Sequence, residues 1–167
     1  MSNSSSIAPG KLLVSQHGMA QVWKDETTGQ HSLHAAKIFS AGEVISAFAP
    51  ASVHAAPSYL TVQTGNQQHI TLQPEFLQYV NHSCHPNVFF DTDAMQLVCL
   101  EDVLPGEEFR FFYPSTEWDM AQPFVCNCGN SNCLQLITGA VHLSVDTLSR
   151  YRLSSFIKNQ VKQKLSL

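Results

Sequence analysis

The sequence predicts a single, mainly β domain made of short strands and closed by a C-terminal α-helical segment. Hydrophobic residues are 44% of the 167 positions and charged residues only 13%, the balance of a chain that buries a core and needs little surface charge. From Lys11 to about Leu104 the apolar residues fall in short runs divided by turn signals, the pattern of strands. After Ser144 the apolar spacing lengthens to three and four residues, the period of an amphipathic helix. The length suits one domain with a real core and is short for two.

The elements follow in order. The N-terminal stretch, opening MSNSSS, is expected to be disordered over residues 1–10, since it is polar and low in complexity. KLLVS, MAQVW, EVISAFA, YLTVQT, HITLQ and NVFFDT are the candidate strands, separated at Thr28-Gly29, Ala41-Gly42, Gly65-Asn66 and His85-Pro86. MQLVCLEDVLPGEEFRFFY reads as two strands around a turn at Pro105-Gly106, because that dipeptide favours chain reversal. Ser144, with Asp146 behind it, has the signature of a helix N-cap. Val145, Leu148 and Tyr151, then Phe156 or Ile157, Val161 and Leu165, make a stripe that packs on the body, and Ser154 is placed to open a second helix. No internal repeat or linker interrupts the chain.

Charge narrows the partners. Of the nine Lys and Arg, five (Arg150, Arg152, Lys158, Lys162, Lys164) lie beyond Ser149, and all thirteen Asp and Glu lie before it. The body therefore carries four basic against thirteen acidic residues, a balance of −9. Such a surface attracts cationic partners, lysine-rich peptides among them, and repels nucleic acid, so direct nucleic-acid binding is not expected. No apolar run reaches the length of a membrane span and no signal-peptide pattern opens the chain, which points to a soluble, intracellular protein without membrane contact. Five cysteines, two of them one residue apart, make a poor disulfide framework and fit a reducing compartment.

The cysteines carry the most specific signal. Cys126, Cys128 and Cys133 form Cys-x-Cys-x4-Cys around a glycine in VCNCGNSNC. Three thiolates on so short a loop can converge on one point, and tetrahedral zinc takes four sulfur ligands at about 2.3 Å. Of the two remaining cysteines, Cys99 lies in the alternating QLVCLE, where a thiol behaves as a small core residue. Cys84, in NHSCHPN, occupies a polar turn before a proline and is the better fourth ligand. His82 or His85 would serve in its place, and an iron–sulfur cluster would also use four cysteines. Cys84 with His82 two residues away could also pair as nucleophile and base, though no acid stands nearby to orient them.

NHSC followed by x-Pro-Asn, then Gly-Glu-Glu-x-x-Phe-x-Tyr from Gly106 to Tyr113, then Cys-x-Cys-Gly-x3-Cys, in that order, resembles the SET-domain lysine methyltransferases with their post-SET zinc segment. The likeness runs from about Leu33 to Cys133. It implies several small β-sheets with a knot-like threading, in which the NHSC and Tyr segments cross beside the cofactor. The layout it implies is a SET domain over 11–120, a post-SET segment over 121–137 and a helical segment over 138–167 packed on the same domain.

The resemblance also implies the chemistry. Methyl transfer from S-adenosylmethionine to a lysine of a protein substrate is an in-line displacement, for which the enzyme supplies alignment. An apolar channel beside a sulfonium lowers the lysine pKa by desolvation and like charge. Tyr113 falls on the family's catalytic tyrosine, and Phe111 falls where an aromatic influences how many methyl groups are added, Phe there implying room for more than one. Phe48 and Phe111 are the implied substrate-channel residues, whereas Phe90 and Phe112 are expected in the core. Asn81, His82, Ser32, Leu33, Tyr113 and Leu134 are the implied cofactor contacts. Cys84, Cys126, Cys128 and Cys133 are the implied ligands of a structural zinc.

The sequence departs from the family where two glycines become Gln30 and Ser32, with Gly29 one residue off. Phe48 replaces a channel tyrosine, Gln78 an arginine ahead of NHSC, and Phe112 an acidic residue before Tyr113. These departures leave a second reading open, a catalytically inactive, zinc-containing interaction module of the same fold.

Overall fold

A computed structural model describes residues 9–166. The disordered stretch expected over 1–10 thus lies outside the described residues except for Pro9 and Gly10, which form a turn. The strands are β1 (Lys11–Gln16), β2 (Ala20–Asp25), β3 (His31–Ala35), β4 (Val44–Ala47), β5 (Ala49–His54), β6 (Val62–Gly65), β7 (Gln68–Gln73), β8 (Asn81–His82), β9 (Val88–Asp91), β10 (Gln96–Cys99), β11 (Arg110–Phe111), β12 (Phe124–Val125) and β13 (Leu136–Ile137). They form three-stranded sheets β1-β2-β3, β4-β10-β9 and β5-β7-β6, and two-stranded sheets β11-β8 and β12-β13. Two short helices follow, α1 (Val145–Leu148) and α2 (Ser155–Leu165).

Local chemistry explains the turns. Between β2 and β3 the Asp25 carboxylate accepts from the amides of Thr27 and Thr28 at 2.8 and 2.9 Å, and Asp91 does the same for Asp93 and Ala94 between β9 and β10. An Asp side chain that satisfies the next amides fixes a turn without a regular ladder. The run EVISAFA, expected as one strand, is divided: β4 pairs with β10 and β5 with β7. Phe48 stands at the break, its amide bound to the Met95 carbonyl and its ring buried, so one apolar run serves two sheets.

The two strands flanking Pro105-Gly106 do not pair with each other. β10 lies between β4 and β9, and β11 runs parallel to β8. After Gly106 the chain follows β3 instead: Ala35 donates to the Glu107 carbonyl, Phe109 to that of Leu33, and His34 bridges to Glu108. Burial decides this, because that path takes Phe109 to 0% exposure edge-on against Phe39, and a hidden aromatic outweighs one more hairpin ladder.

The main core gathers Leu33, Phe39, Ile70, Leu77, Phe90, Leu97 and Phe109 from several sheets. In the C-terminal segment the Ser144 hydroxyl caps α1 by accepting from Thr147 N, and Ser154 caps α2 by accepting from Ile157 N. Of the expected stripe, Leu148 and Ile157 are buried and Val161 is half-buried against them, whereas Val145 and Leu165 are exposed. Tyr151 sits between the helices and stacks on Phe112 at 3.6 Å.

Gly139 joins β13 to this segment with φ of 116°. A Cβ there would lie 2.6 Å from the Trp118 carbonyl oxygen and 2.9 Å from Asp119 Cα, backbone atoms that cannot rotate aside. Gly139→Ala is expected to lower the free energy of unfolding by about 2 kcal/mol or more, seen as a lower urea midpoint at unchanged m-value.

Candidate active site

The site is built where β8 meets β11. Two residues pair in parallel, Asn81 with Arg110 and His82 with Phe111, and Ser83 N adds a bond to Phe111 O at 3.0 Å. Asn87 extends this short pairing by side chain: its Oδ1 accepts from Arg110 N at 2.8 Å while its Nδ2 donates to Glu108 O at 2.9 Å. The second Asn of NHSCHPN, Asn87, therefore stands in for a missing strand residue.

Beside this crossing opens a cavity of about 800 Å³, within the range of cofactor sites. At its polar end Asn81 Nδ2 donates to His31 O and to Glu108 Oε1, at 2.9 and 3.2 Å. The other oxygen of Glu108 takes a forked pair of bonds from Arg110, at 2.9 and 2.6 Å. Gln30 and Ser32 also reach the wall, and Ser32 Oγ is bonded to His34 Nε2 at 2.9 Å.

Tyr113 opens the turn after β11, one residue beyond the strand end. Its backbone N–H donates to His82 Nδ1 at 3.1 Å, which assigns the ring proton to Nε2, 3.4 Å from Cys84 Sγ. Burial, then the Arg110 charge, holds His82 down to about 4, so the ring is a neutral link between the Tyr113 backbone and the Cys84 sulfur. The Tyr113 ring packs among Phe111, His82 and Phe124 and lines the cavity. Burial, and after it the carboxylates of Glu117 and Glu108, pushes its phenol well above the usual range. It stays a neutral hydroxyl, able to donate or accept.

Cys84, Cys126, Cys128 and Cys133 bring their sulfurs within 4.8 Å of one another, a set that can hold a metal ion. Thiolates are the ligands of tetrahedral zinc sites, and four sulfurs converging this closely suit a divalent cation at their centre. Cys99 is apart, buried in β10, and His85 is exposed beside Glu101. The Cys84 carbonyl accepts from Tyr151 Oη at 2.7 Å and Asn132 Nδ2 at 2.8 Å.

The remaining expected residues divide. Ser32, Asn81, His82, Phe111 and Tyr113 line the cavity together. Leu33 is wholly buried in the core. Leu134 packs on the cysteine cluster and donates its amide to Cys84 Sγ at 3.4 Å. Phe48 lies behind Phe90, edge-on at 5.6 Å, and Phe90 is the ring that reaches the cavity. Phe112 is buried on the far side, under Tyr151. Sequence reasoning missed Glu108, Arg110 and Glu117; the visible signal for the last was a lone carboxylate in PSTEW, just after Tyr113. Glu117 is 8% exposed, and burial pushes its carboxyl up to about 7 against the lowering bonds from Gln63 and Thr116.

Small sheets cross beside a polar-ended cavity, with a neutral tyrosine hydroxyl at its wall and a four-cysteine cluster behind it. The SET-domain family profile matches residues 6–114: the chain belongs to the SET-domain family. That match takes in the N-terminal strands, upstream of Leu33, where the motif resemblance begins. Methyltransferase flvH of Aspergillus flavus is 40% identical over 141 residues, 83% of this chain and 79% of that protein. The histone-lysine N-methyltransferase, H3 lysine-36 specific, of Schizosaccharomyces pombe is 31% identical over 88 residues, 48% of this chain and 11% of that protein. Methyl transfer is the activity that both relatives' names share. No helix among the described residues is long and apolar enough to cross a membrane.

The raised Glu117 pKa has a stability consequence. The folded state holds this proton to about pH 7, the unfolded chain only to about 4.3. Between those values the folded state binds more protons, so the contribution of this carboxyl to stability falls as pH rises. Relative to Glu117→Gln, the wild type is expected to lose roughly 3 kcal/mol between about pH 4 and 8, measured by urea unfolding of both proteins. Titrations common to both cancel in the difference.

Proposed function

We propose that the protein transfers methyl groups from S-adenosylmethionine to a lysine side chain of a protein substrate. The unpaired Tyr113 hydroxyl carries this reading: it stands on the cavity wall beside Asn81 and His82, and among the described residues no protein group is hydrogen-bonded to it. Bound S-adenosylmethionine would supply an electrophilic methyl carbon on a sulfonium. Asn81, held by His31 O and Glu108, would bind its amino-acid end, with Ser32 and the His82 backbone beside it. Leu33 and Leu134 would support that pocket from behind, through the core and the cysteine cluster.

Tyr113 would align the substrate nitrogen through its hydroxyl. Phe111 and Phe90 would enclose the alkyl chain with Phe48 backing them, and an apolar wall favours the neutral amine by desolvation. Cys84, Cys126, Cys128 and Cys133 would hold a structural zinc, which fastens residues 121–137, read as a post-SET segment, against the NHSC turn. Residues 11–120 form the proposed SET domain and 138–167 its helical support.

Calorimetric titration of the zinc-loaded protein with S-adenosylmethionine is expected to show micromolar binding; no binding with zinc in place overturns the reading in favour of a non-catalytic module. Tyr113→Phe is expected to keep that affinity and lose methyl incorporation into a lysine peptide library by about 100-fold or more. Unchanged incorporation would remove Tyr113 from its role. Cys126→Ser is expected to lose stoichiometric zinc by elemental analysis and to loosen 121–137 in hydrogen exchange, whereas full zinc retention would refute the ligand set.

A further inference from the structure

Glu117 is the single acidic residue among the buried polar side chains of the described residues, and it has no basic partner. It follows the turn Tyr113–Ser115, with its own amide donating to Tyr113 O at 3.0 Å. One oxygen, Oε2, is fully engaged, accepting from Gln63 N at 3.0 Å and from Thr116 Oγ1 at 2.7 Å. The other, Oε1, has no hydrogen-bond partner, yet it is not among the enclosed, unpaired polar atoms, which are His69 Nδ1 and Ser115 Oγ. Glu117 lines the same cavity as Tyr113, as do the apolar Val62, Leu72 and Phe111, so Oε1 is the atom that meets its open space.

An unpaired carboxyl in apolar surroundings is costly to keep, and such groups cluster at functional sites. Charged neighbours do not explain it. Gln63 and Thr116 are neutral donors, and on the following loop Asp119 is exposed and paired with His142 at 3.0 Å. From the strand end the titratable group that faces Glu117 is Tyr113, and Glu108 acts on the same phenol.

We propose that Glu117 receives the substrate amine: its free carboxylate oxygen draws an alkylammonium to the Tyr113 end of the cavity and takes one proton from it. The step balances within the pair. An N–H bond breaks, its electron pair stays on nitrogen, an O–H bond forms on Oε1, and R–NH3+ with Glu117 carboxylate becomes R–NH2 with Glu117 carboxylic acid. The amine is left with a free lone pair beside the Tyr113 hydroxyl. Burial favours this direction, because it replaces two charges in a low-dielectric site with a neutral pair. The inference rests on the methyl-transfer reading above and assigns the residue that selects a basic amine as acceptor.

The test uses zinc-loaded full-length protein with S-adenosylhomocysteine bound, and n-butylammonium and n-butanol as probes. Glu117→Gln keeps an oxygen for Gln63 N and is expected to weaken n-butylammonium by about tenfold or more, while n-butanol and S-adenosylhomocysteine stay within about twofold. Carbon-13 glutamate labelling, with the Glu117 carboxyl assigned by difference against Glu117→Gln, gives the second readout. At about pH 8, where the free carboxyl is mostly ionised, n-butylammonium is expected to move its signal towards the protonated acid. Equal n-butylammonium affinity in the two proteins, no binding to the wild type, or an unmoved carboxyl signal would overturn the inference while leaving cofactor binding intact. Failure of S-adenosylhomocysteine itself to bind would overturn the methyl-transfer reading and the inference with it.

Discussion

The parallel pairing of β8 with β11 is the constraint on which the rest of the molecule depends. Two residues per strand are too few to persist by ladder bonds alone, and parallel pairing is weaker per residue than antiparallel. Side chains do the holding. Asn87 closes both backbone groups at the strand end, and His82 reaches from β8 to the Tyr113 amide. The same imidazole turns its other nitrogen to Cys84, so the cavity-facing tyrosine and the cysteine cluster share one ring. Because that ring is neutral, it orders both groups without placing a charge between them.

The neutrality extends to Tyr113. Two carboxylates near a phenol disfavour its ionised form, and burial does the same, so all three effects keep the hydroxyl protonated. At the other end of the cavity the Glu108–Arg110 pair closes on itself at 2.6 Å, leaving Asn81 oriented between a carboxylate and a backbone carbonyl. The Asn81 end is thereby polar and closed on itself, and the aromatic wall of Phe90, Phe111 and Tyr113, with the buried Glu117 beside it, bounds the other end. A substrate chain entering there exchanges water for rings, the condition under which a basic nitrogen gives up its proton.

How far the sequence carried this picture depended on whether the deciding contacts were local. Ser144 and Ser154 act on amides three residues ahead, and both caps were readable. Cys84 was preferred to Cys99 because a polar turn and an alternating strand differ in sequence, and the sulfur cluster contains Cys84. The pairing after Gly106 was not readable, since a Pro-Gly turn between apolar runs looks like a hairpin until the burial of Phe109 against Phe39 is known. β3 escaped because HSLHA mixes histidines with apolar residues on a strand buried on both faces. Phe48 and Phe90 exchanged places for a related reason: both are buried rings, and only the three-dimensional stacking says which one faces the cavity.

The C-terminal segment lies beyond every motif, yet its contacts end at the site. Tyr151 lies flat on Phe112, the residue before Tyr113, with rings 9° from parallel, and its hydroxyl binds the Cys84 carbonyl. Arg152 sits over Phe89 at 4.5 Å and pairs with Asp91, which anchors the segment on β9. A small barrel-poor fold with a two-residue central ladder has little intrinsic rigidity in its crossing strands, and Tyr151 braces both of them at once, from the side opposite the cavity. The buried Phe112 fits this arrangement: an acidic side chain under the Tyr151 ring would lose its hydration without gaining a partner, whereas the aromatic gains the stack. Packing from outside the domain's motifs thus reaches both the residue before Tyr113 and the turn that carries Cys84.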